Sequence, residues 1–477
     1  GPDTHMTLRK TSYYSEFGPL IIVPGALPWG VDATGTNVAF ALYDANLPNY
    51  DIFDHWLAMN RADSIAAYKE SFEQYTGTVF NNAMAVDVDG NAFFTDGSSV
   101  PHVVPEALAI WATHPLYQGM TQQAGLPIFP GDDSLFIPQG TVPFEQAPQL
   151  ERTDFVQNSN DSFWLTNPDS PIEGVSPLWG PVGNQQSLRS RMGQKMLAEG
   201  GSVDGRFTRE DLVDRLLNNR TFLGEAVLED LLGLCEDNAG ALVVMPDSSE
   251  VDITPACNAL AQWDGRMNVT SKGAMMFREF AFEFDRNPQW QVPFDPTAPV
   301  STPHTLAANN AVLQQLATAQ QRIINAGLDP AATLGSVQFV ERSLIDGSPS
   351  GEKLPWGGAH NIEGGFNVFR SNMENDGTLI PRHLYPQLPG SHLSAVGGGY
   401  HVTSGSSWMF ALEFTEAGPV AEGLLSYSQS SNPHSDHYID QTLLYSAEPQ
   451  LRTLHFTQED IEANAVRTAT LTGESLR

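Results

Sequence analysis

Strand patterns lie at both ends of this 477-residue chain, and a long helical pattern separates them. The first part contains β-rich segments broken by turn residues, such as 13–24 and 38–43. From Thr208 to about Ala326 apolar residues recur at helical spacing, and from about Val337 strand patterns return. Two strand regions on either side of a helical insert can pair into one sheet system, so the predicted fold class is α+β.

The same order predicts three parts, which a chain of this length can accommodate as separate domains or as one large layered domain. Residues 1–150 are expected to form a strand-rich core part with helices. Within it, the Pro-, Gly- and Gln-rich region 100–150 is expected to be a long ordered loop or a lid-like excursion, and not a linker. Residues 151–336 hold a polar segment and the helical insert, and residues 337–477 return to the core as strands.

Local signals place individual elements within these parts. Phe53, Trp56 and Leu57 recur at helical spacing and predict a helix with an apolar face. A turn at 89–90 between two apolar runs predicts a hairpin. Thr208, followed by acidic residues, predicts a capped helix N-terminus.

The segment 155–168 is rich in both aromatic and amide side chains and contains one charged residue, Asp161. A buried amide without a partner costs about 1–3 kcal/mol, so such a segment favours neutral hydrogen-bond donors held rigidly in a partly dry site. An oxyanion hole needs donors of this kind, because a neutral donor stabilises developing negative charge without titrating. The alternative is a polar turn between two core segments.

Charge and hydropathy exclude two classes of function. The formal net charge is −32, from 56 acidic and 24 basic residues, whereas nucleic-acid binding needs a basic face. No apolar run reaches the roughly 18 residues that a membrane-spanning helix requires, so no membrane span is expected.

Motif searches indicate neither a metal site nor a bound cofactor. Asp87 and Asp89 have the spacing of a calcium loop without its later ligands, so a plain turn is favoured. His434, Asp436 and His437 lie close together, but no further ligand converges with them in sequence. The chain also lacks the G-x-S-x-G elbow, the P-loop and the dinucleotide fingerprint.

Several segments, taken in order along the chain, resemble the penicillin amidase family of N-terminal nucleophile hydrolases. The resemblance is to its acyl-homoserine lactone acylase branch, which includes related lipopeptide and penicillin acylases. It implies a partial αββα sandwich with a helical insert, and the activity of an amide-cleaving acylase. The matching segments are 14–19, 45–62, 87–91, 155–168, 262–265 and 423–441.

The resemblance also implies roles for individual residues. Asn160 matches the asparagine of the family's oxyanion hole. Arg189 aligns with an arginine near the nucleophile, and Arg191, two positions later, is the alternative. Trp56 and Phe80 align with aromatic positions near the acyl pocket, and for both the alternative is an ordinary place in the core.

The chain has two cysteines, Cys235 and Cys257. Their surroundings alone leave open whether they are buried thiols or a disulfide, while metal binding is disfavoured because no further ligand lies at metal-ligand spacing. The matching positions of related acylases carry cysteines, so the resemblance implies a disulfide. A disulfide would place the protein in an oxidising compartment, periplasmic or secreted.

The family's catalytic serine becomes the first residue of the β-chain after self-cleavage, and its own α-amine acts as the base. The resemblance begins well inside the β-chain, so the serine is expected to lie before Gly1, together with the α-chain. The expected partners are therefore the α-chain, the serine-bearing part of the β-chain and a small acylated amide, most simply an N-acyl-homoserine lactone. The alternatives are a penicillin, cephalosporin or lipopeptide substrate, or a non-catalytic scaffold.

Overall fold

A computed structural model describes residues 9–23, 27, 29–31, 35–371, 383–447 and 449–470. The chain divides into two compact units, Gly1–Val182 and Gly183–Arg477, here termed unit 1 and unit 2. The expected boundaries at 150 and 336 stay a prediction. Within the described ranges, every helix is too short or too polar to span a bilayer.

Unit 1 combines small antiparallel sheets with short helices. The strands pair in the orders β1-β2-β5, β3-β4 and β6-β7-β8. The strands are β1 (Tyr14–Ser15), β2 (Gly18–Ile21), β3 (Gly30–Val31), β4 (Asn37–Val38), β5 (Phe40–Ala41), β6 (Asn82–Val86), β7 (Ala92–Asp96) and β8 (Gln149–Arg152). The α-helices are α1 (Ile52–Arg61), α2 (Ile65–Gln74), α3 (Pro105–Thr113) and α4 (Pro115–Ala124).

Strand β7 is the buried centre of its sheet. It pairs antiparallel with β6 on one side, forming the predicted hairpin, and with β8 on the other. Consecutive side chains of a strand point to opposite faces, and both Phe93 and Phe94 are 0% exposed. Phe93 meets Tyr68 of α2, whereas Phe94 packs against Phe163 and Trp164. Thus β7 carries a helix on one face and the amide-rich segment on the other.

The region 100–150 differs from the expected long loop, because it contains α3 and α4. Each helix begins with a proline, at the first helical position, where the missing N–H breaks no hydrogen bond. Helix α4 ends at Gly125, whose φ of 71° is the left-handed conformation of a helix stop. The residues that suggested a loop therefore begin and end helices.

Helix α1 is present as predicted, but its apolar side chains are not its buried face. Phe53, Trp56 and Leu57 are 84%, 48% and 48% exposed. His55 is fully buried instead, and half-buried Met59 lies one turn later on the same side. The expectation that Trp56 could be an ordinary core residue is therefore wrong.

Unit 2 contains the predicted helical region and the returning strands. The strands pair in the orders β9-β10, β11-β12, β14-β13-β16-β15 and β17-β18-β19. The helices are α5 (Leu188–Ala198), α6 (Arg209–Leu217), α7 (Phe222–Asp237), α8 (Thr254–Leu260), α9 (Ala274–Arg286), α10 (Asn310–Asn325), α11 (Leu334–Val337), α12 (Asp440–Ala447) and α13 (Gln458–Asn464). The strands are β9 (Leu242–Val244), β10 (Glu250–Asp252), β11 (Trp290–Val292), β12 (His304–Leu306), β13 (Gln338–Val340), β14 (Leu354–Pro355), β15 (Phe369–Ser371), β16 (Tyr400–Gly405), β17 (Trp408–Thr415), β18 (Gly418–Leu425) and β19 (Arg452–Leu454).

The sheet arrangement bears on the expected sandwich. Among the described residues, each sheet takes all of its strands from one unit. No sheet of these residues joins the two strand-rich regions. The mixture of helices and strands is that of an α+β protein. The four-layer order of the sandwich stays a prediction.

The largest core of unit 2 lies among α7, α8, α9 and α10. Helix α9 is buried along most of its length, and Phe277 and Phe280 are 0% exposed. Cys235 of α7 and Cys257 of α8 form a disulfide, so they are not free thiols. At the start of α6, the Thr208 side chain accepts from the Asp211 N–H and the Asp211 carboxylate accepts from the Thr208 N–H, which confirms the predicted helix start.

A buried ionic cluster links α9 to the sheet of β13 and β16. Arg278 and Glu363 are 2% and 0% exposed and form an ion pair at 2.6 Å. Next to it, Glu279 accepts from Arg322 at 2.8 Å and from the Tyr400 hydroxyl at 2.5 Å. Burial, together with Glu279, raises the pKa of Tyr400 well above its usual value, so its hydroxyl stays a donor.

Candidate functional site

The amide-rich segment 155–168 is a loop of unit 1 anchored by its aromatic residues. The backbone N–H of Gln157 donates to the carbonyl of Thr166 at 2.9 Å, which closes the loop. Phe163, Trp164 and Leu165 form a short 3-10 turn and are 2–4% exposed. Because they pack in the cluster around Phe94, the loop has a rigid base.

Two of the amides hold this loop in shape. Asn167 is 0% exposed and donates to the carbonyl of Phe155 at 2.9 Å and to the Asp154 carboxylate at 3.2 Å. Its own oxygen accepts from the Asp169 N–H at 2.9 Å. The buried Gln157 donates to the Ser159 hydroxyl. Asn167 is thus committed to structure, as a buried amide must be.

Asn160 lies at the tip of the loop, on its exposed side. Its backbone N–H donates to Asn158 Oδ1 at 2.7 Å, and Asn158 Nδ2 donates to the carbonyl of Asp161 at 3.0 Å. These bonds form an Asx turn that places Asn160 at φ 66°, a left-handed conformation that asparagine and glycine adopt more readily than other residues. The tip is therefore held by its neighbours, and the Asn160 carboxamide is not sealed in an apolar interior.

A charged clamp fixes the entrance of the loop. The guanidinium of Arg152 donates to both carboxylate oxygens of Asp154, at 2.9 and 2.6 Å, and to the Ser170 hydroxyl at 2.6 Å. The hydrogen bond from Arg152 holds the pKa of Asp154 well below its usual range. The clamp consequently stays ionised at any working pH.

The two arginines at the start of α5, in unit 2, differ in their surroundings. Arg191 is 2% exposed and donates to the carbonyls of Pro303 at 2.9 Å and Val300 at 3.2 Å, with its guanidinium 4.4 Å from the ring centre of Phe222. Burial lowers the pKa of Arg191 to about 10. Arg189 is only half-buried. Arg191 therefore has a structural role that accounts for its burial.

The two aromatic residues expected at the acyl pocket are exposed in unit 1, together with Asn160. Phe80 is 79% exposed and, like Trp56, is not part of a core. A separate cleft of about 830 Å³ in unit 1 is lined by parts of 102–108, 142–149 and 172–177. Asn160, Trp56 and Phe80 are not among its lining residues, and its ionisable side chains are His102, Glu145 and Glu173.

Sequence reasoning missed the buried histidine of α1. His55 is 0% exposed, its ring lies edge-on to Phe72 with centres 4.5 Å apart, and neither ring nitrogen has a hydrogen-bond partner in the described part of the chain. Burial lowers the pKa of His55 to about 4, opposed in part by the Asp51 carboxylate. The only local sign of this burial is the four-residue spacing to Met59.

We expect His55 to make the chain less stable in acid. In the unfolded chain its pKa lies near the ordinary 6.5, so between that value and about 4 the unfolded state binds a proton that the folded state does not. The neutral His55 side chain contributes fully to the free energy of unfolding above pH 6.5, and this contribution is lost as the pH falls towards 4. Urea midpoints should therefore fall more steeply across this window for the unchanged chain than for His55→Phe. Equal slopes for the two proteins would contradict this role of His55.

Comparisons with known proteins agree with one another. The family model for penicillin amidase matches residues 3–463. An acyl-homoserine lactone acylase PvdQ of Pseudomonas syringae pv. syringae is 32% identical over 471 residues, which is 96% of this chain and 55% of that protein. Aculeacin-A acylase of Actinoplanes utahensis is 31% identical over 470 residues, with 96% and 55% covered. The chain thus spans about half the length of the curated relatives it matches.

A solved structure shows the same fold. Thermostable penicillin G acylase from Alcaligenes faecalis superposes with a TM-score of 0.52, covering 98% of this chain and 79% of that one, at 14% sequence identity. At this identity the likeness concerns the fold alone.

Proposed function

The chain belongs to the penicillin amidase family, and from that premise we propose that it is the larger part of an acylase β-chain. Together with the serine-bearing part and the α-chain, it would hydrolyse the amide bond between an acyl group and an amine. Asn160 is the observation that carries this proposal, because it presents a neutral carboxamide from a tip fixed by an Asx turn. A donor held in place before the reaction stabilises an oxyanion without reorganisation.

The proposed substrate is an N-acyl-homoserine lactone. Relatives named acyl-homoserine lactone acylase support this choice at 30–32% identity. A second candidate is a lipopeptide, because a relative named aculeacin-A acylase is about equally similar. A penicillin or cephalosporin is a further alternative, and the likeness to penicillin G acylase does not favour it because it concerns the fold alone.

The proposed reaction begins with a serine outside this chain. Its hydroxyl attacks the amide carbonyl carbon, and the hydroxyl proton passes through a water to the serine's own α-amine. The carbonyl oxygen becomes an oxyanion that accepts a hydrogen bond from Asn160 Nδ2 and another from a backbone N–H of the serine-bearing part. The C–N bond then breaks, the amine leaves with the proton, and water hydrolyses the acyl-serine.

Three further residues are proposed to assist this reaction. Arg189 would orient the amine of the nucleophile. Arg189 is chosen over Arg191 because the guanidinium of Arg191 already donates to carbonyls of the 300–303 segment. Exposed Trp56 and Phe80 would contact the acyl chain, which apolar aromatic surface suits.

The disulfide favours an oxidising compartment, and we place the protein in the periplasm or outside the cell. The family resemblance further implies that the serine is exposed by self-cleavage. Removal of the acyl group from a homoserine lactone would quench signalling by that molecule. No cofactor is required by this reaction.

Reconstitution tests the proposed function. The chain alone should release no homoserine lactone from its acyl derivative, whereas the chain co-expressed with the remaining parts of the same protein should. The control is the same complex with the catalytic serine replaced by alanine. In this assay Arg189→Gln should lower kcat and shift its pH profile, whereas Arg191→Gln should chiefly lower the melting temperature. A fully formed complex that cleaves no acylated amine would leave only the scaffold role.

A further inference from the structure

Two limbs lead to and from the tip of the amide-rich loop, and apolar packing anchors them unequally. The second limb, 163–167, begins with three residues that are 2–4% exposed. To the same apolar cluster the first limb, 155–158, contributes only Val156, which is half-buried. The Asx turn at the tip begins with the side chain of Asn158, on this first limb. The less firmly packed limb is therefore the one that starts the turn.

Hydrogen bonds between the limbs compensate for this difference. Asn167 of the second limb donates to the carbonyl of Phe155 and to the Asp154 carboxylate. Nearer the tip, the backbone N–H of Gln157 donates to the carbonyl of Thr166. Each of these bridging hydrogen bonds closes a shorter loop than the one before it, which reduces the conformations that are open to the tip.

The Asp154 carboxylate is where this series of bridging hydrogen bonds begins. Its Oδ1 atom accepts from the Phe155 N–H at 2.7 Å and from Asn167 Nδ2 at 3.2 Å. Two further hydrogen bonds come from Arg152, whose guanidinium also donates to the Ser170 hydroxyl beyond the second limb. Arg152 and Asp154 together thus connect the strand that enters the loop to the segment that leaves it.

The donors around position 154 suit a carboxylate and not an amide of the same shape. An ionised carboxylate offers about four lone-pair sites and no donor, which matches the N–H groups that point at it from Arg152, Phe155 and Asn167. Asparagine would replace one oxygen with an NH2 group. In either orientation of the amide this group would face the Arg152 guanidinium or its neighbours, which are themselves donors. The substitution would therefore break the clamp while keeping the volume of the side chain.

We propose that Asp154 is a positioning residue of the acylase, which holds the carboxamide of Asn160 at the place where the oxyanion forms. The inference rests on the proposed function, because it takes Asn160 to be the oxyanion donor. Asp154 acts through the bridging hydrogen bonds and not by contact with the substrate. A misplacement of about 1 Å can cost about 100-fold in rate, so a loosened loop should be seen in the chemistry.

Asp154→Asn tests this role in the reconstituted complex. It should lower kcat about 10- to 100-fold and leave KM little changed, because Asn160 acts chiefly in the transition state. Asp87→Asn is the matched control, since Asp87 in the turn between β6 and β7 also accepts from a backbone N–H and from an asparagine side chain. It lies outside the loop and should leave kcat unchanged. Equal losses of kcat in the two variants would overturn the proposal.

A double variant distinguishes positioning from a general loss of stability. If Asp154 acts only through Asn160, adding Asp154→Asn to Asn160→Gly should lower kcat no further, whereas independent effects would multiply. A further loss of about tenfold in the double variant would show that Asp154 acts by another route and would overturn the proposal.

Hydrogen exchange provides a measurement that needs no turnover. Mass spectrometry of the complex should show faster amide exchange in peptides covering 155–168 for Asp154→Asn, but not for Asp87→Asn, because the bridging hydrogen bonds protect the loop. Unchanged exchange in Asp154→Asn would overturn the proposal even if the complex were inactive. An unchanged complex that releases no amine, while Asp154→Asn loosens the loop as expected, would contradict the proposed function and leave the placement of Asn160 by Asp154 standing.

Discussion

Asn160→Gly is expected to lower the kcat of the reconstituted acylase by about 100- to 1,000-fold, the usual effect of removing one oxyanion-hole donor. Glycine adopts the left-handed conformation at φ 66° without strain, so the loop tip should keep its shape while the carboxamide is lost. KM should change little, because the lost hydrogen bond forms chiefly in the transition state. Steady-state release of homoserine lactone measures both constants.

Asn160→Ala separates the chemical effect from the conformational one. It should show the same loss of kcat and, in addition, a lower unfolding free energy of about 1–2 kcal/mol, because alanine is strained in the left-handed region. Asn464→Ala, at an exposed asparagine of α13, is the control and should match the unchanged enzyme. Near-normal turnover by Asn160→Gly would show that the oxyanion is stabilised elsewhere.

Glu363→Ala is expected to lower the free energy of unfolding by about 3–5 kcal/mol, because it leaves the Arg278 guanidinium buried without its counter-charge. Glu363 accepts two hydrogen bonds from Arg278 and one from the backbone N–H of His360 at 2.7 Å. Arg278 also donates to the carbonyl of Gly358 and to Gln338, so it cannot turn towards water without breaking these contacts. Urea unfolding followed by far-ultraviolet circular dichroism measures the loss.

Two further variants serve as a control and a comparison for Glu363→Ala. Glu210→Ala removes the carboxylate of an exposed ion pair with Arg209 and should leave the urea midpoint unchanged. The double variant Arg278→Met, Glu363→Leu should be more stable than Glu363→Ala, since it removes both charges and fills the space with apolar atoms. If Glu363→Ala were as stable as Glu210→Ala, the buried cluster would not hold α9 in place.

The sequence predicted the elements whose signals are local. The hairpin of β6 and β7 follows from a turn between two apolar runs, and the start of α6 follows from Thr208 and the acid three positions later. The helical pattern from Thr208 to about Ala326 is confirmed by α6 to α10, which lie within it. Helices α3 and α4 were missed because proline and glycine mark both loops and helix ends, and composition does not distinguish the two.

Features that depend on distant parts of the chain had no such signal. Arg278 and Glu363 are 85 positions apart, and neither residue lies in a local pattern that indicates an ion pair. The buried face of α1 had no such signal either, because the helical spacing of Trp56 and its apolar neighbours does not show that His55 is the buried residue. Periodicity identifies the faces of a helix, but what covers each face is decided by the rest of the protein.

The candidate site shows the same division. The composition of 155–168 indicated hydrogen-bond donors fixed in place, and the resemblance selected Asn160 among them. Asn167 holds the loop because it donates to Phe155 and Asp154, whereas Asn160 lies at the tip. The sequence alone does not show which asparagine makes these contacts. The resemblance likewise selected Arg189, and the burial of Arg191 with its contact to Pro303 adds a structural difference between the two arginines.

The contacts of Arg191 set an order of events during synthesis on the ribosome. Helix α5 is complete once Ala198 has emerged, yet the guanidinium of Arg191 needs the carbonyls of Val300 and Pro303, which are translated about a hundred residues later. Until then water hydrates the Arg191 guanidinium, so this side chain can be buried only after the segment around Pro303 has been made.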